Sequence, residues 1–318
     1  MRPSTLRPAR RALQQLQARS YATPSSSPKP RHFLSTADLT PAELTKLVLN
    51  ASSHKTAIKA GTTPPNLKNA LQGKVIAMPF SKRSTRTRVS TEAAVTHMGG
   101  HPMFLSSADI QLGVNESLYD TSVVISSMVS GIVARVGAHS EVAGLAKDSS
   151  VPVINALSAD YHPLQTIADF LTIYEVLGSK NGKGGLGVEG LKVAWVGDAN
   201  NVLFDLAISC LKLGVEISVA TPKGYSIPPS MRSIILSSAP SPSAQSLLTE
   251  TTIPEEAIKN ADILVTDTWI SMGQEEESAK RLKAFEGYQI TEELARRGGS
   301  EGGLEVYALF AEASGGGC

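Results

Sequence analysis

The sequence alternates between short β-rich apolar runs and helical stretches, and this alternation constrains the fold more than any other feature. The apolar runs are Lys74–Phe80, Gly131–Val136, Val151–Leu157, Leu191–Val196, Val215–Ala220 and Ile263–Thr266. Helical stretches separate them, for example Pro163–Leu177 and Val202–Leu213. Strands that alternate with helices in this way form parallel sheets with helices on both faces. We therefore predict an α/β fold, in which ligands bind beyond the carboxyl ends of the strands.

The length of the chain favours two domains. It has 318 residues, of which 42% are hydrophobic, which is enough for two cores of ordinary size. The Gly-rich segment Gly178–Gly190 lies between the two halves of the pattern. Its glycines precede a strand, so they do not form a dinucleotide-binding fingerprint. We predict two doubly wound parallel-sheet domains, residues 33–178 and 179–299, and no apolar run approaches the roughly 20 residues of a membrane span.

The first 32 residues differ in composition from the rest. They hold seven Arg and Lys residues and no Asp or Glu, which leaves 23 basic and 29 acidic residues elsewhere. A basic, Ser-rich, acid-free start is typical of a mitochondrial transit peptide with a linker, although a disordered tail has the same composition. The mildly acidic remainder argues against nucleic-acid binding. Two cysteines, Cys210 and Cys318, predict neither a metal framework nor disulfide stapling.

The run Ser81–Arg88 (SKRSTRTR) has the composition of a phosphate-binding turn. It follows the first apolar run and precedes a helical stretch. A helix start offers unpaired N–H groups and a positive dipole, and hydroxyls and guanidiniums add further donors. A solvated basic helix start is the alternative. The position at a strand–helix junction favours a phosphorylated small-molecule substrate.

Three more polar motifs each follow an apolar run: His162–Gln165 (HPLQ), Gly197–Val202 (GDANNV) and Asp267–Gly273 (DTWISMG). A His can polarise a carbonyl oxygen, and a Gln amide can bond an NH₂ or C=O group. The Asn amides suit an α-carboxylate or an amine, and the Asp suits a cationic amine. No motif alone decisively favours a site over a helix cap or a turn, and for HPLQ alone the capping role is favoured. Their combination indicates a site.

Together, the motifs resemble the ornithine carbamoyltransferase family over residues 33–299. The resemblance rests on Ser84–Arg88 (STRTR), Asp109–Ser117 (DIQLGVNES), HPLQ, Asn200–Asn201 and DTWISMG. It implies transfer of the carbamoyl group of carbamoyl phosphate to the δ-amine of ornithine, which gives citrulline and phosphate. It also implies arginine biosynthesis or the urea cycle in the mitochondrial matrix, and a homotrimer with sites between subunits that needs no metal or organic cofactor.

The resemblance further implies a role for individual residues. Those that would hold the phosphate are Ser84, Thr85, Arg86 and Thr87. Those that would act on the carbamoyl group are Arg135, which also reaches the phosphate, His162 and Gln165, with Arg135 and His162 as the catalytic pair. Those that would bind ornithine are Asn201, Asp267, Ser271 and Met272. Gln111 lies in a loop that, in this family, reaches the carbamoyl phosphate site of a neighbouring subunit.

The resemblance ends near Gly299. The family continues with a His-Cys-Leu-Pro motif, which residues 300–318 lack. Read from the second base of each codon, this tail permits Ala-Lys-Glu-Gly-Trp-Lys-Phe-Met-His-Cys-Leu-Pro-Arg-His-Pro-Glu-Glu-Val, eighteen consecutive triplets that include the motif. We therefore interpret the tail as a shifted reading frame and expect an incomplete second domain with little activity. Sequencing the transcript through codons 295–318 tests this interpretation.

Two alternatives to this function stay open at the level of sequence. One is a carbamoyltransferase for another amine, such as aspartate, putrescine or acetylornithine, against which the DTWISMG motif argues. The other is a non-catalytic subunit that binds carbamoyl phosphate or assembles with active subunits, which the missing motif favours.

Overall fold

Two parallel four-stranded sheets organise the part of the chain that the computed structural model describes, residues 29–107, 117–178, 185–269 and 278–298. The first sheet has the order β2-β1-β3-β4 and consists of β1 (Val75–Phe80), β2 (His101–Ser106), β3 (Gly131–Arg135) and β4 (Val153–Leu157). The second has the order β7-β6-β5-β8 and consists of β5 (Lys192–Val196), β6 (Glu216–Ala220), β7 (Leu248–Thr251) and β8 (Ile263–Val265). The predicted α/β class with two parallel-sheet domains is confirmed.

Helices connect the strands. Those that accompany the first sheet are α1 (Pro41–Lys59), α2 (Thr85–His97), α3 (Leu118–Met128), α4 (His139–Asp148) and α5 (Pro163–Val176). Those that accompany the second are α6 (Asn201–Lys212), α7 (Pro229–Ser237), α8 (Pro254–Ile258), α9 (Ser278–Ala284) and α10 (Glu292–Gly298). Short 3₁₀ turns occupy Thr36–Asp38 and Pro242–Leu247. No helix within the described ranges is long and apolar enough to cross a membrane.

The six apolar runs all form strands, but two further strands were not predicted. Strand β3 is buried at every position, as expected of a central strand in a parallel sheet. The two unpredicted strands, β2 and β7, lie at the sheet edges and pair on one side only within the described residues. Their sequences carry His, Pro, Thr and Glu, because edge strands need no continuous apolar run.

Residues 33–39, called here the N-terminal segment, contact both halves of the fold. Phe33 pairs with β4, since its N–H donates to Val153 O at 2.9 Å and its carbonyl accepts from Asn155 N at 2.8 Å. The Lys212 ammonium, at the end of α6, donates to three carbonyls of the segment, those of Thr36, Ala37 and Leu39. The segment thus joins the first sheet to a helix of the second.

The largest apolar core lies around helix α6, which is buried from Leu203 to Lys212. Trp195 of β5 is the bulkiest fully buried side chain in this core. The same cluster includes Leu44 of α1 and Phe170 of α5, so helices that follow or precede the first sheet also pack on the second. This packing brings the carboxyl ends of β4 and β5 close to each other. All of these elements lie in the unit formed by residues 32–318.

Candidate functional site

The carboxyl end of β1 leads into the first turn of α2, which carries hydroxyls and open backbone donors. Ser84 caps this helix: its hydroxyl accepts from the Thr87 N–H at 3.2 Å and donates to the Thr87 hydroxyl at 2.9 Å. Thr85 and Arg86 lie exposed on the same turn. The predicted phosphate-binding residues therefore share one helix start, and the helix dipole favours an anion there.

Arg88 belongs to the same run but is engaged elsewhere. Its guanidinium lies 3.7 Å from the centre of the Phe104 ring, and its Nε donates to Glu92 at 2.9 Å. An arginine held by an aromatic ring and a carboxylate is poorly placed to bind phosphate. The geometry thus separates Arg88 from Arg86, which has no such partner among the described residues.

Arg135 is the last residue of β3, the strand beside β1. Only 7% of it is exposed, and its Nη1 donates to the Thr87 hydroxyl at 3.3 Å. Its Nε is buried without a hydrogen-bond partner, and no carboxylate in the described part of the chain pairs with it. Burial accordingly lowers the pKa of Arg135 from its ordinary value. A buried guanidinium with unused donors is suited to an anionic ligand.

His162 begins helix α5, directly after the turn that follows β4. Pro163 fills the first helical position, and the His162 side chain makes no capping bond. Its backbone N–H donates to Asp205 at 2.7 Å, whereas Nδ1 is buried without a partner in the described structure. Burial, together with the positive charge of Arg135, lowers the pKa of His162 to about 3. The imidazole is therefore neutral at physiological pH, and its unpaired nitrogen is available to a ligand.

Gln165 lies one turn into the same helix and is held by a buried carboxylate. Its Nε2 donates to Asp169 Oδ1 at 2.7 Å, and Asp169 is fully buried. Burial raises the pKa of Asp169 to about 7, the bond from Gln165 opposes this rise, and the charge of Asp267 adds to it. The influence of Asp267 on this pKa indicates that the two carboxylates, one from each half of the fold, are close enough to interact.

At the carboxyl end of β5, Asn200 links a helix start to Asp267. Its Oδ1 caps α6 by accepting from the N–H groups of Val202 and Leu203 at 3.0 and 3.2 Å. Its Nδ2 donates to Asp267 Oδ2 at 2.7 Å. Asn200 is therefore a helix cap, which is one of the two roles that the sequence predicted for this motif. Burial raises the pKa of Asp267, and bonds from Thr268 and Asn200 oppose the rise.

The neighbouring Asn201 reaches across to the first half of the fold. Its Nδ2 donates to the carbonyl of Ser158 at 2.6 Å, in the turn between β4 and α5. This bond ties the start of α6 to the loop that carries His162. The site residues of the two sheets consequently face each other around this turn.

A buried ion pair supports the segment that follows β8. Asp198 pairs with Arg281, which is 5% exposed and lies 5.0 Å from the centre of the Tyr225 ring. The Arg281 Nε also donates to the Trp269 carbonyl at 2.5 Å. The pair fixes the described start of the DTWISMG motif.

Three of the predicted site residues, Gln111, Ser271 and Met272, lie outside the described residues. Conversely, the sequence reasoning missed two buried carboxylates, Asp169 and Asp205. Asp169 follows Gln165 by four residues, a spacing that places both on one helix face and could have indicated their contact. In the sequence, Asp205 is visible only as a charged residue within an apolar helix. Its partners could not be recognised, because they lie far away in the chain.

Comparison with known proteins gives consistent matches along the chain. Residues 31–175 match the family model "Aspartate/ornithine carbamoyltransferase, carbamoyl-P binding domain", and residues 189–302 match the corresponding "Asp/Orn binding domain". The mitochondrial ornithine carbamoyltransferase of Emericella nidulans is 67% identical over 290 residues, which are 90% of this chain and 81% of that protein. The ornithine carbamoyltransferase of Saccharomyces cerevisiae is 46% identical over 86% of this chain and 80% of that protein.

Solved structures agree with these matches. The crystal structure of a mitochondrial ornithine carbamoyltransferase from Coccidioides immitis is 57% identical, with a TM-score of 0.81 over 89% of this chain and 86% of that one. The ornithine carbamoyltransferase from Pyrococcus furiosus is 37% identical, with a TM-score of 0.79 over 89% and 85%.

Proposed function

The chain belongs to the aspartate/ornithine carbamoyltransferase family, and on this premise we propose that it transfers the carbamoyl group of carbamoyl phosphate to L-ornithine. The products are L-citrulline and phosphate. The observation that carries the proposal is Arg135, a buried guanidinium with an unused Nε between the hydroxyls of α2 and the neutral His162. A phosphate on one side and a carbonyl oxygen on the other would use these donors.

The phosphate end of the substrate would rest on the first turn of α2. Ser84, Thr85, Arg86 and Thr87 offer hydroxyl, backbone and guanidinium donors there. Arg135 would add a buried positive charge, which stabilises the negative charge of the departing phosphate more strongly than an exposed group would. The same guanidinium would also bond the carbonyl oxygen.

The carbamoyl end would rest on the start of α5. His162 is neutral, so its one N–H can donate to the carbonyl oxygen, where negative charge develops in the transition state. Gln165 would bond the carbamoyl group beside it. In the reaction, the neutral δ-amine of ornithine bonds to the carbonyl carbon, and the bond from that carbon to the bridging phosphate oxygen breaks. The proton that the amine loses leaves with the phosphate. No covalent bond to the protein is required, so alignment of two substrates would supply much of the rate.

Ornithine would enter from the second sheet. Asn201 and Asp267 lie at the carboxyl ends of β5 and β8, where they would bind its α-amino and α-carboxylate groups together with Ser271 and Met272. We divide the chain accordingly into a leader and linker (1–32), a carbamoyl phosphate domain (33–178), an ornithine domain (179–299) and the divergent tail (300–318). The two ranges matched by the family models support this division.

The finer biological setting is also part of the proposal. The basic leader and the mitochondrial relatives support a mitochondrial protein, which we place in the matrix in arginine biosynthesis. We propose a homotrimer in which Gln111 reaches a neighbouring site. Exposed apolar side chains on α2, β2 and α3 support a subunit contact there: Val89, Met103, Tyr119, Val124 and Met128.

The direct test is citrulline formation by the purified chain, with aspartate, putrescine and acetylornithine as competing acceptors. Because the tail lacks the His-Cys-Leu-Pro motif, we expect slow turnover, with ornithine as the only amine accepted. Calorimetry should show that carbamoyl phosphate binds before ornithine is added. Preference for another amine would overturn the assignment of ornithine. Failure to bind carbamoyl phosphate by a folded chain would overturn the proposed reaction as a whole.

A further inference from the structure

The contact between Gln165 and Asp169 determines which way the Gln165 amide faces. The two residues lie one turn apart on α5, and the amide nitrogen donates to Asp169 Oδ1 at 2.7 Å. An ionised carboxylate can only accept hydrogen bonds, so it selects the nitrogen of the amide over the oxygen. Oδ2 has no partner among the described residues. This selection applies where Asp169 is ionised, above its pKa of about 7, since a protonated carboxyl can also donate to the amide oxygen.

The consequence lies at the other end of the amide. With Nε2 committed to Asp169, the Gln165 oxygen is left as an acceptor, and no described residue donates a hydrogen bond to it. Gln165 follows His162 by one helical turn, and the His162 Nδ1 is likewise without a partner there. The site thus presents two different atoms to a substrate: the Gln165 oxygen, which is an acceptor, and beside it the neutral imidazole of His162.

We propose that Asp169 is a positioning residue that turns the Gln165 oxygen toward the substrate, where it accepts a hydrogen bond from the –NH₂ of the carbamoyl group. This inference rests on the proposed function, because it assumes that Gln165 contacts that group. It adds a source of specificity: the site distinguishes a carbamoyl phosphate from an acyl phosphate, which has a carbon in place of the –NH₂. Asp169 itself stays fully buried and touches no substrate.

The test compares two ligands that differ only at this position, carbamoyl phosphate as substrate and acetyl phosphate as competitive inhibitor. Asp169→Leu removes the acceptor while it keeps the approximate shape of the side chain. It should raise KM for carbamoyl phosphate roughly tenfold, because either orientation then buries one end of the amide against leucine without a partner, which favours rotamers in which Gln165 leaves the substrate. The inhibition constant of acetyl phosphate should stay within about twofold.

The conservative variant Asp169→Asn gives a graded control. An Asn amide can accept from or donate to Gln165, so both orientations become available. If they are equally populated, KM should rise only about twofold, since half of the molecules present the correct atom. A purely structural role would instead raise KM and the acetyl phosphate constant together in both variants.

A double variant separates positioning from other effects. In Gln165→Met, which has no amide to orient, the added change Asp169→Leu should leave KM unaltered. Should Asp169→Leu not fold, as judged by thermal unfolding, Asp169→Val takes its place, because it likewise offers no acceptor. An unchanged KM in the single variant, or parallel changes for both ligands, would overturn the inference. Citrulline formation by the unaltered protein tests the proposed function separately.

Discussion

Replacement of Asp205 by alanine would remove one buried carboxylate that four donors share. These donors are the Ser35 hydroxyl at 2.9 Å and, each at 2.7 Å, the Thr36 N–H, the Thr36 hydroxyl and the His162 N–H. The hydroxyls can rotate, and that of Thr36 already lies 3.2 Å from the Asp205 backbone oxygen. The two backbone N–H groups cannot. Each buried donor without a partner costs about 1–3 kcal/mol, so we expect Asp205→Ala to lose about 2–6 kcal/mol of unfolding free energy.

Urea unfolding at about pH 8 measures this loss. Burial raises the pKa of Asp205 to about 6, with the four donors opposing the rise, so the carboxyl is ionised under these conditions. Glu286→Ala is the matched control: it removes an exposed carboxylate and should change stability by less than about 0.5 kcal/mol. Asp205→Asn should fall between the two, because it keeps one accepting oxygen. A loss below about 1 kcal/mol for Asp205→Ala would refute the hydrogen-bond reasoning.

Three further outcomes follow from the site. Arg135→Met should lower kcat on the order of 100-fold in steady-state citrulline assays. Arg135→Lys should restore little of this loss, because an ammonium lacks the planar fork of a guanidinium, and full rescue by lysine would contradict this role. Arg86→Ala should raise KM for carbamoyl phosphate about tenfold, whereas Arg88→Ala should leave it within about twofold, since Arg88 stacks on Phe104. Equal effects in the same assay would remove the distinction between the two arginines. Burial lowers the pKa of His162 to about 3, so the folded state binds fewer protons than the unfolded state between pH 3 and about 6.5. The contribution of His162 to the free energy of unfolding therefore increases as pH rises through that window. In urea unfolding across that range, His162→Asn should reduce the slope of unfolding free energy against pH by up to about 1.4 kcal/mol per pH unit, and an unaltered slope would speak against a buried neutral imidazole.

The central strands could be predicted because their burial requires apolar residues at successive positions in the sequence. A strand covered on both faces, such as β3, needs an unbroken apolar run, and that run is visible in the sequence. The edge strands β2 and β7 have no such run. β2 contains Pro102 and a polar end, and its pairing with β1 is decided by the sheet and not by its own composition.

Some features of the site were visible for a similar reason. Polar residues after apolar runs point to strand ends, and topology brings parallel strand ends together, which makes Arg135 and His162 neighbours. The sequence could not show that Arg88 turns to Phe104 or that Asn200 caps α6, because both depend on a packing environment assembled from distant residues. Asp205 is the extreme case, with partners about 170 positions away in the chain.

That separation has a consequence for the order in which the protein is made. The N-terminal segment leaves the ribosome early, whereas its partners Asp205 and Lys212 are synthesised roughly 170 residues later. At about 5–20 residues per second, this is a delay of roughly 10–30 s. The His162 N–H lacks its carboxylate for a shorter time, roughly 2–9 s, because Asp205 follows His162 by 43 residues. During synthesis there is thus a period in which the first sheet can form, but the loop that carries His162 lacks its hydrogen bond to Asp205 because the second half of the chain has not been made.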